Sequence, residues 1–134
     1  MPDESERDRL NRLSNTIIGA ALRVHTELGP GMLESAYEAC LLFELNALGH
    51  RVERQKPLPL VYREHQLDCG YRLDLLVEDS IVVEVKAIER LERVHSAQVL
   101  SYLRQLKLKL GLLVNFNVRW LKDGITRIVN DFPE

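Results

Sequence analysis

The sequence predicts a single α/β domain whose mixed sheet is flanked by helices, in the order α-α-β-β-β-α-β-β over residues 1–134. Three observations predict this class. Two amphipathic helical segments open the chain, three strand-like segments follow at short intervals, and a third long helix separates them from a further buried strand. Strands joined by short turns pair antiparallel, whereas a helix between strands forms a crossover. The sheet is therefore predicted to be partly antiparallel and partly connected by a helical crossover.

Apolar residues at helical spacing identify the first two helices. They recur every three or four positions over residues 8–28, and Gly29-Pro30-Gly31 ends this helix. The second helix is predicted over residues 32–48, and the following Gly49 suits the left-handed position after a helix end. Residues 1–9 are predicted to be flexible.

Strands are predicted where apolar and β-branched residues form short runs bounded by turn signals. The first three cover residues 52–62, 66–77 and 80–87, with Glu78-Asp79-Ser80 as the turn between the last two. A fourth, buried strand is predicted over residues 111–117.

The third helix and the end of the chain complete the domain. Periodic leucines predict a helix over residues 95–110, with Ser96 as its cap. Residues 118–129 are predicted to form a hairpin around Lys122-Asp123-Gly124, because Asp-Gly is a strong hairpin turn signal.

The composition is that of a soluble globular protein, with 46% hydrophobic and 28% charged residues. It excludes disordered and low-complexity classes. No run approaches the ~18 apolar residues of a membrane span, and the acidic N-terminus is unlike a signal peptide. Cys40 and Cys69 lack C-x-x-C spacing and are predicted to be buried free thiols of a cytoplasmic protein, not zinc ligands.

Charge is unevenly distributed along the chain. The net charge is −2, divided into −4 for residues 1–50 and +2 for the remainder. Basic residues of the second part could line a nucleic-acid track or be ordinary solvated side chains, and charge alone leaves both alternatives open. These residues are Arg51, Arg54, Lys56, Arg90, Arg93, Arg104, Lys107 and Lys109.

Two glutamates interrupt the apolar stripe of the second helix. At 100° per residue, Glu34 and Glu38 fall among Tyr37, Leu41 and Leu45. A carboxylate that faces a core is costly unless it is paired, hydrogen-bonded or bound to a metal. The alternative is structural, since the first turns of a helix favour negative charge and a helix end can be open to water.

Asp74 interrupts an apolar strand, and Glu84 lies in the strand that follows. If Glu78-Asp79-Ser80 is a three-residue loop, Val77 lies opposite Ile81, and Asp74 lies directly opposite Glu84. Opposed carboxylates repel unless a positive charge lies between them, so a divalent cation is predicted there. A two-residue loop would put the pair on opposite faces of the sheet, so the register tests the site.

Further polar residues extend this pattern. Lys86 shares a strand face with Glu84, although an exposed Glu-x-Lys is common on solvated strands. Gln98 and Tyr102 lie one helical turn apart and can point toward the sheet or form a surface pair. His95 is predicted to cap a helix or contact phosphate, not to bind metal, because Mg²⁺ prefers oxygen.

Together these motifs resemble the PD-(D/E)XK nuclease superfamily, and more narrowly its small GxxExxY group. The residues that match the motif of that group are Gly31, Glu34 and Tyr37. Those that match the acidic and E-x-K motifs of the superfamily are Asp74, Glu84 and Lys86, with Leu73 in place of the usual proline. Gln98 and Tyr102 match the Q-x-x-x-Y motif of the branch similar to RecB-type nucleases.

The resemblance implies a restriction-endonuclease-like core and metal-dependent hydrolysis of phosphodiester bonds. Asp74 and Glu84 match the principal ligands of one or two Mg²⁺ or Mn²⁺ ions, with the carbonyl of Val85 as a third and Glu34 through water or on a second ion. The residue expected to orient or help deprotonate the attacking water is Lys86. Those expected to position Lys86 or the phosphate are Gln98 and Tyr102.

The predicted function is therefore that of a nuclease acting on nucleic acid, with DNA as the favoured substrate and with structural or end specificity. No membrane partner is expected, and a homodimer is left open. The alternative is a catalytically silent nuclease-fold domain that binds nucleic acid or protein. In a second alternative, the protein is an interaction subunit of a larger assembly, and the acidic residues form ion pairs with Lys86 or Arg72.

Overall fold

The structure, a computed structural model, describes residues 3–134. Its helices are α1 (Glu6–Leu28), α2 (Glu34–Ala47) and α3 (Arg93–Leu106). Its strands are β1 (Val52–Pro57), β2 (Leu60–Tyr62), β3 (His65–Leu67), β4 (Arg72–Val77), β5 (Ile81–Lys86), β6 (Leu110–Asn115) and β7 (Ile125–Val129). None of the described helices is both long and apolar enough to cross a membrane.

Five strands form one mixed sheet in the order β1-β4-β5-β6-β7. Neighbouring strands are antiparallel except β5 and β6, which run parallel because α3 crosses over between them. Strands β2 and β3 form a separate two-stranded ribbon. The predicted fold class, a mixed sheet flanked by helices, is confirmed.

Each face of the sheet has its own hydrophobic core. Helices α1 and α2 cover one face, where their apolar stripes meet alternate residues of β4, β5 and β6. Helix α3 covers the other face through Val99, Tyr102 and Leu103. The central strand β5 contributes to both cores, since Val83 lies in the first and Val82 in the second.

Local sequence signals account for the start of α1 and for the end of α2, although α1 begins earlier than predicted. Helix α1 begins at Glu6, where the Oγ of Ser5 accepts a hydrogen bond from the N–H of Asp8 at 3.1 Å. Residues 6–9 of the stretch predicted to be flexible are thus helical, and residues 1 and 2 lie outside the described part of the chain. Gly49 has φ +87° directly after α2, as predicted.

Two of the predicted strands are each divided in two. Residues 52–62 form β1 and β2, because Pro57 and Pro59 carry no N–H to continue the ladder. Residues 66–77 lie in β3 and β4, which are separated at Gly70, with φ +77°. Arg63 and Glu64, both with positive φ, form the tight turn that joins β2 to β3.

The hairpin predicted within residues 118–129 is wrong. Residues Leu121–Gly124 form a short 3₁₀ helix, and β7 pairs with β6 instead. Leu121 is buried in the first core, and a Cβ on Gly124 would lie against the carbonyl oxygen of Asn115. Packing of this segment against β6 therefore overrides the local turn signal of Asp-Gly.

Three smaller predictions also need correction. Helix α3 covers Arg93–Leu106 and is capped by Glu92, not by Ser96. The buried strand covers Leu110–Asn115. Cys40 and Cys69 are free, but Cys40 is only half-buried and Cys69 is exposed, because it lies in the open segment after β3.

Candidate active site

The β4–β5 hairpin opens at the level of Asp74 and Glu84. Its ladder pairs Val77 with Ile81 and continues to Leu75 and Val83, which confirms the predicted three-residue loop and register. Beyond this point, side chains replace the backbone ladder. The N–H of Asp74 donates to Oε1 of Glu84 at 3.1 Å, and the N–H of Val85 donates to Oδ2 of Asp74 at 2.8 Å. Each carboxylate thus accepts a hydrogen bond from the opposite strand.

Strand β4 changes face at the same position. Leu75 and Val77 belong to the core under α1 and α2, whereas Leu73 belongs to the core under α3. Regular alternation would put all three on one face. On the other side of β4, Gln55 interrupts β1 with φ +52°, and the β1–β4 pairing skips Gln55 and Asp74. The backbone irregularity therefore surrounds Asp74 on both sides.

Gln55 connects Asp74 to the second helix. Its Nε2 donates to Oδ1 of Asp74 at 3.2 Å and to Oε1 of Glu38 at 2.7 Å. Glu38 is 5% exposed, and its other oxygen accepts from Nε of Arg54 at 2.6 Å. Each oxygen of Glu38 thus accepts one of these two hydrogen bonds, and α2 is linked to Asp74 through Glu38 and Gln55.

The electrostatics of the carboxylate pair show an uncompensated negative charge. Glu84 is 3% exposed, and its burial, followed by the charge of Asp74, raises its pKa from 4.5 to about 8. The N–H of Asp74 and the charge of Lys86 oppose this shift. Between residues 3 and 134, no ion pair within 4 Å joins Asp74 or Glu84 to Lys86 or Arg72. The alternative that these acids are structural ion pairs with Lys86 or Arg72 is therefore wrong.

Helix α3 contributes Tyr102 to the surroundings of the carboxylate pair. Its hydroxyl-bearing side chain is 6% exposed, and burial, followed by the charges of Glu84, Tyr71 and Asp74, raises its pKa to about 12. At neutral pH the hydroxyl therefore keeps its proton and can donate a hydrogen bond. Gln98 and Tyr102 also line a groove of about 440 Å³.

Lys86 ends β5 in a fixed backbone position. The N–H of Phe116 donates to the carbonyl of Lys86 at 2.9 Å. The amide side chain of Asn115 then bonds both the N–H and the carbonyl of Ile88, at 3.1 and 2.9 Å. The Lys86 side chain is half-buried, and its charge acts on Glu84 without a direct contact. Between residues 3 and 134, the ammonium of Lys86 forms no ion pair within 4 Å.

Glu34 lies apart from these contacts. It is the exposed first residue of α2, and within the described chain no hydrogen bond or ion pair joins it to Asp74 or Glu84. The expectation that Glu34 lies in the apolar stripe is wrong, whereas that for Glu38 is confirmed. The reason is that Glu34 is the first residue of α2, where the helix side that faces the core further along is open to solvent.

Tyr37 and His95 have structural contacts. The hydroxyl of Tyr37 donates to the carbonyl of Gly29 at 2.6 Å and accepts from the N–H of Met32 at 3.0 Å. Its ring stacks on Phe116. Nδ1 of His95 accepts from the N–H of Glu92 at 2.8 Å, which confirms its predicted capping role. Tyr37 thus fixes the loop before α2, and His95 fixes the start of α3.

The donor set fits a hard divalent cation. Mg²⁺ is usually bound through one or two carboxylates and keeps several waters. Asp74 and Glu84 supply two carboxylates whose mutual repulsion a cation would relieve. Across residues 3–134, no group of three His, Cys, Asp or Glu side chains is arranged to hold a metal ion. The described chain therefore offers a cation a pair of carboxylates and not a closed cage of side chains.

Sequence reasoning missed Gln55 and the link between Glu38 and Arg54. Arg54 and Gln55 lie in the polar run of β1, which matches no catalytic motif. The pairing of β1 with β4 is what sets Gln55 beside Asp74. Only that pairing, combined with the position of Asp74, could have indicated it.

A family model of the PD-(D/E)XK nuclease superfamily matches residues 11–128. No curated protein and no solved structure gives a match. The matched residues span both cores, the opened β4–β5 hairpin and all of α3. The chain belongs to the PD-(D/E)XK nuclease superfamily, whose members are generally nucleases that use divalent metals.

Proposed function

We propose that this protein is a divalent-metal-dependent nuclease of the GxxExxY group that hydrolyses phosphodiester bonds of nucleic acid. The observation that carries the proposal is the pair Asp74 and Glu84, which meet where the β4–β5 ladder opens. A buried carboxylate with a pKa of about 8 beside a second carboxylate is a costly arrangement. Such perturbed groups cluster at functional sites.

The metal-binding residues in this proposal are Asp74 and Glu84, with the backbone carbonyl of Val85 as a third donor. Glu34 would bind through water or hold a second ion at the exposed start of α2. Mg²⁺ or Mn²⁺ held there would neutralise charge on the phosphate and lower the pKa of a bound water. Glu38 supports Asp74 through Gln55 and does not itself reach the ion.

The proposed role of Lys86 is to orient or help deprotonate the attacking water and to offset phosphate charge. Its lack of a carboxylate partner within 4 Å suits this role, since a paired ammonium would first have to leave its partner. Tyr102 is a protonated donor at neutral pH and, together with Gln98, would position Lys86 or the phosphate.

The favoured substrate is DNA, and the preference is for a structure or an end rather than for a sequence. Sequence readout needs an element that enters a groove and reaches base edges. The described chain carries the sheet, its three covering helices and one short β2–β3 ribbon. These elements suit recognition of the shape of a nucleic-acid strand.

Cleavage assays with labelled single-stranded, duplex and branched DNA and RNA test the proposal. We expect cleavage with Mg²⁺ or Mn²⁺, none with a chelator, and none for Asp74→Asn. The control variant is Asp79→Asn, an exposed acid in the turn of the same hairpin, which should cleave as the parent does. A parent protein that cleaves none of these substrates in either metal overturns the proposal.

A nuclease-fold module that binds nucleic acid without cleaving it is the second candidate. One observation favours it: within residues 3–134, no third His, Cys, Asp or Glu side chain joins the carboxylate pair to form a metal-binding group. Binding of labelled nucleic acid, with no cleavage in any metal and no metal-induced rise in melting temperature, would select this candidate.

A further inference from the structure

A groove lies on the α3 side of the sheet, and its lining includes Gln98 and Tyr102. It has a volume of about 440 Å³, within the range of roughly 300–1,000 Å³ that is usual for small-molecule sites. Leu58 and Leu60 line it from the β1–β2 segment, and Ala97 and Ser101 line it from α3. The groove is therefore open and mainly apolar, with helix on one side and strand on the other.

Tyr71 supplies an aromatic surface at this groove. Its carbonyl accepts a hydrogen bond from the N–H of Leu58 at 2.9 Å, so its backbone is fixed just before β4. The ring of Tyr71 meets that of Tyr102 edge to face, with 6.1 Å between the ring centroids. Tyr71 is 43% exposed, whereas Tyr102 is 6% exposed. The Tyr71 ring is thus held in place with much of its surface open to a ligand.

The polar lining residues are amides and one cation. In the described chain, the amide of Gln98 makes no hydrogen bond, and Gln105 uses only its oxygen, which accepts from the N–H of Val61 at 3.3 Å. Free amide groups can both donate and accept, as the edges of nucleobases do. Arg104 adds a positive charge and no acidic residue lines the groove. This combination suits an aromatic, polar-edged ligand that carries phosphate.

Tyr102 connects the groove to the carboxylate pair. It lines the groove and packs in the same core as Leu73, the residue before Asp74, and Val82, two residues before Glu84 in β5. A strand whose phosphate lies at the acids would therefore present its neighbouring nucleotide to the groove. This step rests on the proposed function, since it places the phosphate at Asp74 and Glu84.

We propose that the groove binds one unpaired nucleobase of the substrate strand, stacked against Tyr71, so that the substrate class is single-stranded nucleic acid or a frayed end. Stacking on aromatic side chains is the sequence-tolerant way to bind single strands, because every base has a π-face. A paired base would first have to leave the duplex at a cost of a few kcal/mol. The groove thus discriminates by strand state and not by base sequence.

Equilibrium binding in a chelating buffer tests the groove without cleavage. The probes are a fluorescein-labelled single-stranded DNA oligonucleotide and the same strand in a blunt duplex, with fluorescence anisotropy as the readout. Tyr71→Ala should weaken single-strand binding by about 5- to 150-fold, the range for loss of one stacked base. Duplex binding should change by less than a factor of about two.

Two further variants serve as controls. Tyr71→Phe keeps the ring and should bind single strands as the parent does. Trp120→Ala removes an even more exposed aromatic residue that lies outside the groove, beside Leu22 and Leu121, and should have no effect. Melting temperatures identify any variant that fails to fold. If Tyr71→Ala does not fold, Tyr71→Leu retains apolar area without the aromatic face and should still show the loss.

The outcomes separate this inference from the proposed function. Single-strand binding that depends on the Tyr71 ring, in a protein that never cleaves, supports the groove and overturns the nuclease proposal. Metal-dependent cleavage with single-strand binding unchanged in Tyr71→Ala overturns the groove and leaves the nuclease. Equal losses for single strands and duplex, or an effect of Tyr71→Phe as large as that of Tyr71→Ala, also overturn the groove.

Discussion

The two ends of the β4–β5 hairpin differ in what holds them together. At the turn, Val77 pairs with Ile81 in a regular ladder between two buried apolar residues. At the open end, Asp74 and Glu84 occupy the positions where the ladder would continue, and their carboxylates accept the backbone N–H groups instead. One hairpin therefore combines a closed apolar end with an open acidic end.

The difference shows how a sheet can hold two carboxylates in its interior. A regular pair would direct both side chains away from the backbone and leave them to repel each other. Here each carboxylate is anchored by an N–H of the opposite strand, so the acids keep their positions without a counter-ion. The closed end provides the stability that this irregular end lacks, because its apolar residues fill both cores.

The largest expected effect is that of replacing the acid at the open end of the hairpin, and replacing an acid at the closed end is its control. Asp74→Asn should reduce metal-dependent cleavage to the level seen with a chelator and should remove metal binding, because one of two ligands loses its charge. Asp79→Asn, at the closed end, should change neither. Isothermal titration with Mn²⁺ and single-turnover cleavage measure the two effects. Metal binding that persists unchanged in Asp74→Asn would contradict the assignment of Asp74.

Lys86→Ala should lower single-turnover cleavage by roughly 10²-fold or more while leaving Mn²⁺ affinity nearly intact, because an ammonium acts on the reacting groups and binds no cation. Within the described chain, Lys86 forms no ion pair with a carboxylate within 4 Å, so its removal strands no paired carboxylate, and the melting temperature should change little. A large fall in melting temperature that Mg²⁺ reverses would instead identify Lys86 as a structural counter-charge of Glu84.

Gln55 tests how far the open end depends on its support from α2. Gln55→Gly and Gln55→Ala both remove the amide between Glu38 and Asp74, and cleavage should fall by roughly 10- to 100-fold, as for the outer partners of metal ligands. Because Gln55 has φ +52°, the glycine variant should be more stable than the alanine variant by about 1 kcal/mol. Urea unfolding and cleavage rates measure the two effects separately. Full activity in both variants would show that Asp74 needs no support.

The smallest expected effect is a dependence of stability on pH. With its pKa raised from 4.5 to about 8, Glu84 binds a proton in the folded protein that the unfolded chain has released. In a chelating buffer this contribution is fully present below 4.5 and is lost as the pH rises through about 8. Mg²⁺ competes with that proton, so the Mg²⁺-induced rise in melting temperature should be several degrees larger at about pH 9 than at about pH 6.

Glu84→Gln provides the control for this pH dependence, because its amide does not titrate. In a chelating buffer, its melting temperature should lack the fall that the titration of Glu84 causes in the parent over this pH range. Changes caused by other titrating groups should be equal in the two proteins. A parent protein whose Mg²⁺-induced rise is equal at both pH values would contradict the shifted pKa of Glu84.

Much of the closed end could be predicted from sequence, whereas the open end could not. The turn Glu78-Asp79-Ser80 fixes the register through short-range geometry, so the apolar pairs follow from alternation. The opening of the ladder depends on contacts with Gln55 and Glu38, which come from other elements. Such contacts carry no local signal, and the strand therefore looked regular as far as Asp74.

The second helix and the tail illustrate the same limit. The helical wheel placed Glu34 and Glu38 together, but only Glu38 is buried, because a wheel gives an angle and not the distance to the helix end. In the tail, Asp-Gly indicated a turn, and the segment instead forms a 3₁₀ helix packed against Asn115. Both errors arise where tertiary packing decides between local alternatives.

The β2–β3 ribbon has a consequence for how this protein can evolve. Pro57 and Arg72 are paired neighbours in the main sheet, so the chain departs for the ribbon and returns at adjacent points. Closing a longer excursion between fixed ends costs little, about 0.6 kcal/mol for each doubling of its length. Insertions at the exposed Arg63–Glu64 turn can therefore accumulate while Asp74, two residues beyond Arg72, keeps its setting and Leu58 and Tyr71 keep their places in the core and the groove. The ribbon is a place where descendants of this chain can acquire new substrates, and where an engineer can graft a binding loop, without rebuilding the acidic pair.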